Sequence, residues 1–177
     1  MHQADLTPDT PLPSDDDPDP SQPEQPGVRD RLSVSAEHEL GRTHADWVHQ
    51  HLITLLQLLD QPLESLSVVF VGDEAMAQLH GKYLDDPTTT DVMTFDLRET
   101  EEGPIDGELV ICVDEATREA DSCGHGVERE LLLYAVHGLL HLLGYDDHDP
   151  EQAQIMHTEE DRLLRAIGVG AVYAPDP

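Results

Sequence analysis

Apolar and polar positions change period along the chain, and the changes predict alternating strands and helices. Alternation in RLSVS (31–35) predicts a strand. THADWVHQHLITLLQLLD (43–60) has apolar residues at helical spacing and starts on Thr43, a plausible N-cap. LSVVFVG (66–72) is β-branched and almost wholly apolar, so it predicts a buried central strand. DEAMAQLHGKYL (73–84) follows as a helix capped by Asp73. TDVMTFDL (90–97) and GELVICV (107–113) predict two more strands, separated by an acidic loop. Three helices close the pattern: 114–124, ending at Gly124; 126–144, apolar on nearly every side; and 149–168, opened by Asp149 and Pro150 and ended by Gly168. The order β-α-β-α-β-β-α-α-α points to one α+β (α/β layered) domain. It should hold a single mixed sheet of about four strands packed with five or so helices, with the 126–144 helix central.

That central helix carries the candidate chemistry. In HGLLHLLGYDDHD (137–149), His137 and His141 are four apart and so share one helix face. Leucines surround them, and imidazoles buried without partners are costly. The plain reading is a pair of core histidines bonded to carbonyls. Gly144 adds the other possibility, because a left-handed glycine would fold 145–149 back over the pair. Two imidazoles and a third donor from that turn form a tripod with an open fourth position, as in catalytic zinc sites.

Composition narrows the setting. Among 177 residues, nine basic residues face 38 acidic ones, a formal net charge of −29, which opposes non-specific binding to polyanions. Residues 1–27 hold seven of the 13 prolines and the run DDDPDP; they read as a disordered acidic tail. The domain is expected over 28–168, and 169–177 as a short irregular tail. Cys112 and Cys123 form no CxxC pair and read as small reduced core residues. No secretory signal or membrane-spanning stretch is legible, so the chain reads as cytoplasmic with no membrane partner.

HGLLHLLGYDDHD resembles the HGxLHLxGYDH signature of the YbeY family of metal-dependent endoribonucleases, which act in ribosomal RNA maturation. LSVVFVGDEAMAQLHGKYL, TTTDVMTFDL and DGELVIC resemble further family segments in the same order, so the likeness covers roughly residues 30–165. The resemblance implies one Zn2+ per chain (another divalent ion being possible) and single-stranded ribosomal RNA as substrate. It further implies 16S 3′-end processing and ribosome quality control, ribosomal small-subunit proteins as partners, and no DNA.

The family's third histidine directly follows the aspartate of GYDH. Here that place is Asp147, and His148 comes one residue later. The family's downstream methionine and glutamate fall on Met156 and Glu160 when counted from Asp147, which favours Asp147 as third ligand and leaves His148 as the alternative. Zinc peptidases of the HExxH type carry a glutamate where Gly138 stands, so any general base must come from Asp146, His148 or Glu130. Glu130 also reads simply as an acid at a helix N-terminus. Thr90 and Asp91 match a family Thr-Asp pair, or merely a turn into a strand. The family's arginine and lysine near this stretch are replaced by Leu84 and Asp86, with Lys82 the nearest cation and Arg118, Arg129, Arg162 and Arg165 a possible patch. A nuclease needs cations against phosphates. Two other functions therefore stay open: a ribosome-assembly factor with a structural metal, and a metallohydrolase of another substrate.

Overall fold

The computed structural model describes residues 27–100 and 102–173. The elements run α1 (Val28–Arg31), β1 (Leu32–Ala36), α2 (Glu39–Leu59), β2 (Leu63–Val71), α3 (Asp73–Leu84), β3 (Val92–Asp96), β4 (Ile105–Cys112), α4 (Val113–Cys123), α5 (Val127–Leu142) and α6 (Pro150–Ala166). The expected order is present, with α1 added as a single turn. Four strands make one mixed sheet in the order β1-β2-β4-β3. β1, β2 and β4 are parallel, and β3 pairs antiparallel with β4 at one edge.

Side-chain alternation divides the sheet between two apolar layers. Leu66, Val68 and Phe70 of β2, with Leu109 and Ile111 of β4, join the main core under α2 and α5. Val69, Val71, Val110 and Cys112 point the other way, where α3 brings Met76, Ala75 and Leu79. A nearly continuous apolar strand is what two covered faces require. α5 contacts β3, β4, α2, α4 and α6, so it is the central helix. No helix among the described residues is long and apolar enough to cross a membrane.

Several local expectations are corrected. α2 begins one turn before Thr43, with His38 at its N-cap. Gly41 is buried in that first turn, where a Cβ would lie 2.9 Å from Phe70 Cβ and 3.1 Å from Ala36 Cβ. Close packing against the sheet thus selects glycine inside a helix. Asp73 does not cap α3. Gly72 holds the cap position, Asp114 accepts from the Asp73 backbone N–H at 2.8 Å, and the Asp73 carboxylate pairs with Arg118. Cys112 is buried as expected, but Cys123 is exposed at the end of α4.

Residues 1–26 and 174–177 lie outside the described residues, so the expected acidic tail is not described beyond Gly27. Residues 169–173 are irregular yet docked. Ala171 is buried and its carbonyl accepts from Arg129, Asp161 Oδ1 accepts from the Val172 and Tyr173 N–H groups, and Tyr173 stacks on His157 at 4.0 Å.

α6 starts as its sequence predicts. Asp149 Oδ1 accepts from the N–H groups of Glu151 and Gln152, both at 3.0 Å, and Pro150 fills the first helical position. Asp149→Ala should cost about 1 kcal/mol, within the ~0.5–2 range for lost caps. The check is a lower denaturant midpoint at an unchanged slope.

Candidate metal centre

α5 ends in a Schellman turn. Gly144 takes a φ of 91°, its N–H donates to the His141 carbonyl at 3.0 Å, and the Tyr145 N–H donates to the Leu140 carbonyl at 3.0 Å. The chain is thereby folded back toward the helix face bearing His137 and His141. Their Nε2 atoms are 3.1 Å apart. Asp147 Oδ2 is 3.6 Å from His137 Nε2, and Oδ1 is 3.9 Å from His141 Nε2.

The outer nitrogens set the tautomers. His141 Nδ1 is 3.1 Å from the Tyr145 carbonyl, which can only accept, so that nitrogen carries the proton. His137 Nδ1 is 2.7 Å from Glu160 Oε1, a carboxylate with 0 % side-chain exposure. In the neutral rings, both Nε2 atoms therefore present lone pairs to one another, with a carboxylate beside them. Three acceptors converging without a proton between them repel unless a cation sits among them. For metal–nitrogen bonds of ~2.0–2.1 Å, tetrahedral ligands are about 3.3 Å apart, close to the spacings here. The donor set fits a divalent ion of the zinc class, and a carboxylate and a carbonyl behind the two rings are the usual outer supports of such sites.

Burial opposes charge on His137, but the Glu160 hydrogen bond and the charges of Glu160, Asp91 and Asp147 outweigh it and raise its pKa. Protons and metal compete for Nε2. Metal affinity should therefore fall with acidification from a higher pH than an ordinary histidine pair would show. In metal-free protein the sign reverses, since a raised folded-state pKa contributes stability below the unfolded value and loses it as pH rises through the folded one. Metal titrations and melting curves across the histidine range check both directions.

The other candidates fall into distinct places. Asp146 organises the turn, with Oδ1 accepting from the Asp147 N–H at 2.8 Å and the His148 N–H at 3.2 Å. His148 turns its Nδ1 onto Asp146, and this contact raises the imidazole pKa. It clusters with Asp146 and Asp147 rather than with the two α5 histidines, and it lines the same cavity. Glu130 is not brought to this centre. It lies two turns back along α5, buried, with Oε1 2.8 Å from His125 Nε2. Asp91 serves its own turn, accepting from Thr90 Oγ1 and the Val92 N–H.

The cavity in front of the histidines has a volume of about 620 Å³. Its walls include His80, Tyr83, Leu84, Thr90, Phe95 and Asp96, and no lysine or arginine among the described residues. Tyr83 packs edge-on against Phe95 with centroids 5.1 Å apart. The suggested arginine patch does not converge on the groove: Arg118 pairs with Asp73 and Glu115, Arg162 with Glu159, and Arg129 reaches Ala171. In the sequence Glu160 is only a register mark. Its role behind His137 depends on α6 lying against α5.

The family described as "Endoribonuclease YbeY" matches residues 32–168. Proteins named endoribonuclease YbeY are similar to this chain: that of Beutenbergia cavernae is 35% identical over 145 residues, covering 77% of this chain and 97% of that protein. The Renibacterium salmoninarum protein is 36% identical over 146 residues, covering 77% and 93%. The solution structure of TM1509 from Thermotoga maritima shares the fold, with a TM-score of 0.57 at 22% identity over 77% of this chain and 88% of that one.

Proposed function

The chain belongs to the endoribonuclease YbeY family, and from that premise we propose a metal-dependent endoribonuclease of single-stranded RNA whose zinc-class ion is held by His137, His141 and Asp147. The observation that carries the metal assignment is the facing pair of Nε2 lone pairs, 3.1 Å apart, with the Asp147 carboxylate beside them. A bound zinc ion would lower the pKa of water and polarise a phosphoryl oxygen. Glu160 and the Tyr145 carbonyl hold the two rings so that both Nε2 atoms face one point. Asp146 engages His148 Nδ1, which leaves His148 Nε2 as the atom that gives or takes a proton at the cavity rim. Gly138 holds no such group because its position faces β3 and β4.

The exposed ring of Tyr83, backed by Phe95, supports recognition of unstacked bases rather than of a duplex. A cation-poor groove on a chain of net charge −29 has little intrinsic hold on phosphates. Ribosomal RNA presented by small-subunit proteins in the cytoplasm, including the 16S 3′ end, suits such a groove. The same shortage of cations favours a second reading, a ribosome-assembly factor whose metal is structural.

The test compares Asp147→Ala with His148→Ala on a single-stranded RNA. Asp147→Ala should lose metal affinity about 10–100-fold or more. His148→Ala should keep the metal and lose turnover by about 10²-fold, as for a lost proton-transfer group. Metal-loaded wild type that cleaves nothing, while a chelator unfolds it, would favour the second reading.

A further inference from the structure

A second group of metal-ligating side chains lies outside the centre described above, where α4 passes into α5. Cys123 is the last residue of α4, Gly124 turns the chain with a φ of 75°, His125 follows, and Glu130 lies in the early part of α5. One ligand atom from each of Cys123, His125 and Glu130 lies within 4.8 Å of the other two.

His125 Nδ1 faces the Gly126 carbonyl at 3.4 Å, a long contact. Nε2 is buried, lies outside hydrogen-bond geometry, and comes within 2.8 Å of Glu130 Oε1. Glu130 is itself almost fully enclosed, with 4% of its side chain exposed, and its carboxylate is aimed at the ring. Buried together at this distance, the imidazole nitrogen and the carboxylate share a positive charge, which a ring proton or a bound cation supplies. A thiol sulfur completes three donors over eight residues.

We propose that Cys123, His125 and Glu130 form a second metal site, for a thiophilic divalent cation of the zinc class. One thiolate and one carboxylate balance a divalent charge, and the sulfur discriminates against magnesium and calcium. Cys123 at the surface gives the ion an entry path. The site is separate from the first: Glu130 and His137 are seven residues apart on one helix, about 10.5 Å of rise, against ~3.5–4 Å between the ions of two-metal catalytic centres. Its ion therefore fastens the end of α4 to the start of α5 and takes no part in the reaction.

Cobalt titration of the metal-free full chain tests this, because thiolate ligation produces a near-ultraviolet charge-transfer band. Wild type should bind two equivalents, one of them with that band. Cys123→Ser should bind one equivalent and lose the band, and Glu130→Gln should weaken the band-bearing equivalent at least about tenfold. Cys123 is exposed at a helix end, so its serine variant should keep its circular dichroism spectrum. Cys112→Ser should keep both equivalents, since burial pushes that thiol up to about 11. His141→Ala should lose only the equivalent without the band, so failure of the first centre is read independently. A wild type without the band, or a band that survives in Cys123→Ser, overturns the site.

Discussion

His141→Ala should remove the equivalent of metal bound at the α5 centre and reduce RNA cleavage by about 10³-fold or more, because the cavity in front of the histidines would lose its Lewis acid. The fold should survive, since the partner it frees is the Tyr145 carbonyl at a turn that water can reach. His137→Ala should abolish activity to the same degree at a higher structural cost. It strands Glu160, a carboxylate with 0 % side-chain exposure whose Oε2 already has no hydrogen bond, at a penalty of about 3–5 kcal/mol. Glu160→Gln separates support from ligation: the ring stays, its orienting carboxylate goes, and metal affinity should fall about 10–100-fold. Metal content by elemental analysis and cleavage of a labelled single-stranded RNA measure these effects. Full turnover in metal-free His141→Ala would refute the assignment.

Gly138→Glu is the second large effect. It writes the HExxH pattern of zinc peptidases into the sequence, yet it should yield no peptidase. A Cβ at 138 would lie 2.7 Å from Leu109 Cδ2 and 2.9 Å from Thr94 Oγ1, between α5 and the sheet. The new carboxylate would be forced in between α5 and the β3–β4 edge, against Leu109. Overpacking and an unpaired buried charge together should cost about 3–5 kcal/mol, a large part of the ~5–15 kcal/mol that holds a domain folded. Thermal or denaturant melts of the variant check this. A well-folded Gly138→Glu protein would mean that α5 can move off the sheet, and with it the histidines.

Much of this was legible in the chain because it is local physics. Period-two and helical apolar patterns mark β2, β4 and α5, and the sheet faces follow from alternation alone. Helical pitch places His137 beside His141, Gly144 supplies the reversed turn, and Asp149 with Pro150 starts α6. These features depend on residues within about one turn of each other.

What the sequence determined by itself was therefore the layered α+β fold, the paired imidazoles and the turn behind them. Tertiary structure decided which side chain of that turn points inward, Asp147 facing the Nε2 pair while His148 closes on Asp146. It also decided that Glu160, 23 residues from His137, stands behind the ring, and that Glu130 belongs with His125 rather than with the α5 centre. Gly41 is a glycine inside a helix because a Cβ there would run into Phe70 and Ala36. Each of these depends on distances between elements remote in the chain, which packing of α5 against α6, α4 and the sheet sets and no local pattern encodes.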